Sequence, residues 1–282
     1  MPKKPQAVKR FTLEAGRRNG AAAGLQEFCL TVYLNALNCL SKYSWTDIDR
    51  LSIHGRVANP APPGTIQPMY QPPQFKSADR DIAARLMREH PFASLISNDD
   101  DGVPFITHLP LHLEDRAGTF FLLGHCARAN AHWLYLQQRP TAVVTFLGPH
   151  AYQSPKIYPD LARVPSWTYL AVHCTVSATL IEDPVATERI LQQLIADHEP
   201  SYAQQWRALG DEFARQMMAG IVAFELEVVD LQCKLKLNQH RPESHVALKA
   251  GYRQGNEHER ELAVWMDRLG LGGSEQAKEQ SQ

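Results

Sequence analysis

The sequence predicts a mainly β domain of the α+β class, a strand-rich barrel with peripheral helices. Three observations predict it. Apolar runs of strand length follow one another from Phe92 onward, separated by Gly-, Asn- and Asp-containing turns. Two of the runs, Ser166 to Ile181 and Gly220 to Leu237, are long, and helical patterns are few. Closing such strands on themselves removes the exposed edges that an open sheet would leave. Of the 282 residues, 44% are hydrophobic and 21% charged, enough apolar chain for a sizeable core.

The elements follow in order. Ile82, Ala83, Leu86 and Met87 recur at helical spacing between Ser77 and His90, and Pro91 stops the helix. Phe92 to Ser97, Val103 to Leu113 and Thr119 to Cys126 read as an antiparallel meander with turns at 98–102 and 114–118. A short helix over 131–138 ends at Arg139-Pro140, and Thr141 to Leu147 resumes as a buried strand. Gly148 to Ala162 reads as a loop and Ser166 to Ile181 as a strand. Asp183-Pro184 has the form of a helix start, which predicts helices over Val185 to His198 and Tyr202 to Met218. In the last strand Val222, Phe224, Leu226 and Val228 alternate with Glu225 and Glu227, and a bulge is expected before Leu231 to Leu237. Fraying is expected from Gly270, giving a frayed tail over 271–282.

The formal net charge of -1 conceals a split. Residues 1–68 carry nine Lys or Arg against four Asp or Glu, about +5, which leaves about -6 on the rest. Residues 1–68 are therefore read as a disordered extension, with Met69 opening a single domain over 69–270. A secretory signal fits poorly, because the apolar run Phe28 to Leu40 carries Asn35 and Asn38 and no small-x-small cleavage site follows. The same run is too short and polar to span a bilayer. A nucleic-acid arm lacks interleaved aromatics. The five cysteines form no CxxC pair, so reduced thiols in a cytoplasmic protein are expected, with Cys126, Cys174 and Cys233 in the core.

Several constellations carry chemistry. Gly124-His125-Cys126-Ala127-Arg128-Ala129-Asn130 joins a strand to a helix. Gly124 would admit a ligand to the backbone, Arg128 offers a fork of donors, and helical N–H groups follow Asn130; together they form a candidate phosphate cradle. An ordinary strand-to-helix turn capped by Asn130 explains the heptapeptide equally well. Trp167, Tyr169, Ala171 and His173 share one strand face, opposite a Val172/Cys174/Val176 core face; the face suits stacking on a flat heterocycle, and a core or subunit-contact role explains the aromatic pair equally well. His108 and His112 do not make a metal site, because no third ligand stands at a characteristic spacing and Pro110 bends the strand between them. Lys234, Lys236 and Asn238 alternate outward from Leu235 and Leu237, as an anion site or a solvated face. GxSxG, P-loop and GxGxxG motifs do not occur in the sequence.

Ordered motifs then point to a family. These are Met69-Tyr70-x-Pro72-x-x-Phe75, Thr107-His108-Leu109-Pro110, Gly124-His125-x-Ala127-x-Ala129-Asn130 with Trp133, Phe146-x-Gly148-Pro149-His150-Ala151-Tyr152, and Val164-Pro165-x-Trp167-x-Tyr169-x-x-Val172-His173. The chain from Met69 to about 250 resembles the PaiB-type FMN-binding proteins, labelled negative transcriptional regulators, with the FMN-binding split β-barrel fold. The resemblance implies a homodimer holding FMN between its barrels. It implies cofactor contacts from His108 and Leu109, from Gly124, His125, Ala127, Arg128 and Asn130, from Trp167 and Tyr169, and from Lys236, Gln239 and Arg241. Two segments depart from the family pattern: Ser166-Trp167-Thr168-Tyr169 replaces Thr-Trp-Asn-Tyr, and Lys236-Leu237-Asn238-Gln239-His240-Arg241 replaces Lys-Leu-Ser-Gln-Asn-Arg.

Three function classes follow. The family label implies a regulator sensing flavin or redox state, with DNA as partner, although the acidic body opposes non-specific DNA affinity. An FMN-dependent oxidoreductase of flavin-reductase or pyridoxamine-phosphate-oxidase type would use NAD(P)H instead. Storage of flavin or tetrapyrrole is the third. No catalytic residue, metal ligand or membrane segment is assigned.

Overall fold

The computed structural model describes residues 69–160 and 163–273. The extension read over 1–68 and the tail beyond 273 lie outside the described residues. The strands are β1 (Lys76–Ser77), β2 (Phe92–Asn98), β3 (Pro104–Pro110), β4 (His112–Arg116), β5 (Thr119–Ala127), β6 (Thr141–Gln153), β7 (Ser166–Ile181) and β8 (Ile221–Lys236). The helices are α1 (Arg80–Glu89), α2 (His132–Gln138), α3 (Pro184–His198), α4 (Tyr202–Ala208), α5 (Asp211–Ala219), α6 (His245–Arg253) and α7 (Glu257–Arg268). The domain is thus a mixed α and β fold around one antiparallel sheet.

Strand order is β3-β2-β6-β7-β8-β5-β4, with β1 added on β8. The run expected as one strand over 103–113 is two strands at opposite ends of this path, joined only by Leu111. Pro110 lacks an N–H for the ladder, and the Leu111 N–H turns aside to the Pro91 carbonyl at 3.0 Å. Chain connectivity bridges the two ends, and no hydrogen-bonded ladder joins β3 to β4 among the described residues. The closed barrel expected from the sequence is therefore not a closed ring of ladders.

Two irregularities set which side chains face the core. β6 runs on through Gly148-Pro149, expected as loop, with a register shift between Leu147 and His150. Gly148 is needed there, because a Cβ would stand 2.6 Å from Leu86 of α1. In β8 the partners Thr175↔Asp230 and Val176↔Val228 leave Val229 as an inserted residue. Core positions before it are even (Phe224, Leu226) and after it odd (Cys233, Leu235), so Gln232, Lys234 and Lys236 take the other face.

The core holds α1 through Leu86 and Met87, the inward sheet residues Leu95, Leu122, Val144, Phe146, Leu170 and Phe224, and the C-terminal pair α6 and α7 through Tyr252, Leu262, Trp265 and Met266. The sequence reading did not anticipate α6 or α7. Asn256 and Glu259 form a capping box on α7, the one local signal for them. The helix expected over 202–218 is two helices, split at Gly210, whose φ of +81° is left-handed. Asp183 caps α3 through Ala186 N–H as expected. The described part of the C-terminal segment is held to α6, since Lys249 Nζ donates to the carbonyls of Leu271 (3.3 Å) and Gly273 (2.9 Å).

His132 pins α2 to the sheet. Its Nδ1 lies 2.7 Å from Thr107 Oγ1 on β3 and its Nε2 3.0 Å from Ser97 Oγ on β2. Burial pushes its pKa down to about 4. The unfolded chain therefore takes up a proton near the ordinary histidine value while the native ring stays neutral, so stability is full above about pH 6.5 and falls as pH drops toward 4. We expect urea midpoints to report a loss on the order of 3 kcal/mol over that window. His132→Gln should be less stable at neutral pH and should flatten the profile.

Candidate functional site

One sheet face is left uncovered by helices over much of its width and gathers polar and planar groups. Ladder registers align His108, Ser94, Thr145, His173 and Gln232 in a single row across β3, β2, β6, β7 and β8. Within it, Ser94 Oγ and His108 Nδ1 are 2.9 Å apart. Burial, with Lys234 adding to it, lowers the pKa of His173, so its ring is neutral near pH 7. Farther along the same face Tyr169 pairs with His150 on one side and Lys236 on the other. Trp167 donates its Nε1–H to His150 Nδ1 at 3.3 Å, and His150 stacks on His258 of α7 at 4.7 Å between centroids. Three large apolar side chains, Phe92, Ile106 and Leu147, are each more than half exposed on this face.

Lys234 is the electrostatic anomaly of the face. Its residue is only 6% exposed. Nζ donates to the Tyr70 carbonyl at 2.8 Å and sits 5.4 Å and 5.3 Å from the Tyr70 and Tyr169 ring centroids. Carbonyl and π-faces compensate a buried ammonium only in part.

The expected cradle around Arg128 is built differently. Gly124 faces the core, not a ligand: a Cβ there would lie 2.5 Å from Leu111, 3.3 Å from Leu109 and 3.4 Å from Phe224. His125 pairs with Ala223, which packs with Leu123 under Ile190 and Leu194 of α3; the His125 Nδ1 is buried without a hydrogen-bond partner among the described residues, and burial lowers the pKa of the ring. Ala127 is exposed opposite Ile221. Arg128 donates Nε–H to the Ala219 carbonyl (2.9 Å) and Nη2–H to that of Ile221 (2.8 Å), strapping the end of α5 to β8. Asn130 Oδ1 takes the His132 N–H at 3.0 Å and its Nδ2 donates to Thr107 of β3, so these donors, like those of Arg128, are already engaged within the protein. A cleft of about 490 Å³ lies beside Arg128, between Trp133, Thr187 and Arg215.

The third expected group divides. Gln239 folds back on its own strand, accepting the Leu237 N–H at 2.9 Å and donating to the Leu235 carbonyl. Asn238, expected to point outward, is buried with a left-handed φ of +64°. Lys236 and Arg241 line a second cleft with Arg163 and His240. The structure thus brings His108, Trp167, Tyr169 and Lys236 to one face and leaves Gly124, His125, Ala127, Arg128 and Asn130 elsewhere. Sequence reading missed Ser94, Thr145 and Gln232, since only strand register reveals them. His112, for its part, pairs with Asp197 at 2.6 Å, away from His108.

Residues 69–230 match the family model described as "Putative FMN-binding domain". The chain belongs to this FMN-binding-domain family. A relative, the Protease synthase and sporulation protein PAI 2 of Bacillus subtilis (strain 168), is 30% identical over 177 residues, spanning 62% of this chain and 84% of that protein. Among solved structures, the chain is similar to the FAD and heme binding protein of Mycobacterium smegmatis (19% identity, 57% of this chain, 73% of that one, TM-score 0.45). It is also similar to a conserved hypothetical protein of Mycobacterium tuberculosis (15% identity, 60% and 91%, TM-score 0.44). The family match of this FMN-binding-domain protein includes the His108-to-His173 part of the polar row and stops short of Gln232, Lys234 and Lys236.

Two substitutions separate scaffold from site. Gly124→Ala should cost about 1–3 kcal/mol in urea denaturation through overpacking against Leu111. Arg128→Ala should cost about 1 kcal/mol, the net worth of hydrogen bonds at an exposed position.

Proposed function

We propose that this chain is an FMN-dependent oxidoreductase that works as a homodimer. The observation that carries the reading is the uncovered sheet face, where a polar row ending in His108 and Gln232 runs beside Trp167, Tyr169 and the incompletely compensated Lys234. These residues fit the cofactor: planar aromatic groups suit its ring system, hydroxyl and imidazole groups its polar edge, and a buried ammonium an electron-rich edge. Exposed Phe92, Ile106 and Leu147 on the same face supply apolar area that a second copy would cover. Bound FMN supplies two-electron chemistry with NAD(P)H that no side chain offers.

Each residue then has a task. Ser94 fixes the His108 ring, and neutral His173 presents one donor and one acceptor beside Thr145. Lys234 favours negative charge at the group it faces. Leu109, Gly124, Arg128, Asn130 and Gln239, expected as contacts, are assigned here to the scaffold because their groups are spent on core packing or backbone.

A regulatory role is the second reading, favoured by the name of the Bacillus subtilis relative, which ties that protein to protease synthesis and sporulation.

The decisive measurement is an FMN titration followed by desalting and a visible spectrum. A retained flavin band, bleached by NADH or NADPH, is the expected result; a colourless protein would end the cofactor reading. A retained band that no reductant bleaches, with salt-resistant binding of a promoter fragment, would favour the regulator. Tyr169→Ala should raise the FMN dissociation constant about tenfold, consistent with an aromatic contact of 0.5–1.5 kcal/mol, whereas Arg128→Ala should leave it unchanged.

A further inference from the structure

At the end of the sheet beyond Tyr169, residues of the loop after β6 and the turn after β8 line a cleft of about 280 Å³. Its floor is a fixed polar chain. Thr168 donates to Gln153 Oε1 (3.0 Å), Gln153 Nε2 donates to the Tyr158 hydroxyl (2.9 Å), Tyr158 meets the Asn238 amide (2.8 Å to Nδ2), and Asn238 Nδ2 donates to Ser244 Oγ (2.7 Å). Gln153 and Asn238 are each about 5% exposed, and Asn238 holds a left-handed backbone to reach its place. Such a network is preorganised and does not collapse when the cleft is open to solvent.

The rim is cationic. Lys236 Nζ donates to the neutral Ser166 hydroxyl at 2.9 Å and, among the described residues, no carboxylate lies within ion-pair distance of it. Arg241 has Glu243 only at 4.0 Å, Arg163 is paired with Asp160 at 2.8 Å, and His240 completes the wall. Positive charge therefore exceeds negative charge around a cavity whose floor is held in place by amide and hydroxyl groups bonded to one another. Its volume sits at or below the lower end of small-molecule sites, roughly 300–1,000 Å³, which suits a small ligand and not a whole flavin nucleotide.

We propose that this cleft binds the phosphate group of a small phosphate monoester, with Lys236 and Arg241 as its principal charged contacts. The site is separate from the Trp167/Tyr169 face proposed for FMN, although Lys236 borders both. If the FMN reading holds, the cleft places an anionic second ligand at the edge of the flavin face. The anion site itself stands without that reading.

The test is calorimetric titration of the full chain with inorganic phosphate and with glycerol 3-phosphate, at constant ionic strength, with and without FMN. Saturable binding that weakens at least tenfold in Arg241→Gln and in Lys236→Gln, with unchanged thermal midpoints, is expected. Arg241 is a half-buried rim residue whose guanidinium stands 4.0 Å from Glu243, so its variant keeps the fold and the test interpretable. Absence of saturable heat, or wild-type affinity in both variants, overturns the proposal. Competition between phosphate and FMN also overturns it, because the cleft would then hold the cofactor's own tail, and the flavin reading would survive. Phosphate binding in a protein that retains no FMN would leave this site standing and remove the other.

Discussion

The inserted residue at Val229 is the constraint on which the working face depends. β7 and β8, sixteen residues each, are the two longest strands and lie side by side from Tyr169↔Lys236 to Ile181↔Ala223. A ladder of that length with an unbroken register would keep one parity of β8 inward throughout. The insertion resets the phase halfway, so the strand begins by burying Phe224 and Leu226 and ends by burying Cys233 and Leu235. Gln232, Lys234 and Lys236 then stand beside His173, Ala171 and Tyr169. Without the reset, three polar side chains would enter the core and the face would lose its cations.

The break at Leu111 has a comparable effect at the other end of the sheet. Because β3 leaves for β2 and β4 for β5, His108 joins the row through Ser94 and Thr145, and His112 is carried away to Asp197. A continuous strand over 103–113 would have kept the two histidines on one face. Pro110 decides between these outcomes by withholding a ladder donor where the strand has to turn. His132 then locks the turn after β5 to both β2 and β3, which fixes the outer rows relative to the core.

Much of the fold was legible in the sequence because its signals are local. The period-2 alternation of β8, the punctuation around β2 and β5, and the Asp183-Pro184 helix start act within a few residues. β7 was placed end to end, Ser166–Ile181. The misreadings share a cause. Gly148-Pro149 has the composition of a loop, but Tyr169 and His150 pair across it and keep β6 extended. Tyr202 to Met218 has helical spacing throughout, yet Gly210 in a left-handed conformation divides it. α6 and α7 bury their apolar sides against β6 and the core, contacts far away in sequence.

For the candidate site, sequence alone selected residue types: a planar Trp167/Tyr169 face, a basic stretch after Leu235, and an arginine after a glycine-terminated strand. It determined which side chains share a strand face, because alternation is a property of one strand. Only the tertiary structure decided which strands lie together, since register across five strands is set by core packing and by two irregularities. That is why Ser94, Thr145 and Gln232 surfaced beside His108 and His173, and why Arg128 turned its donors onto the backbone of a helix end some ninety residues away.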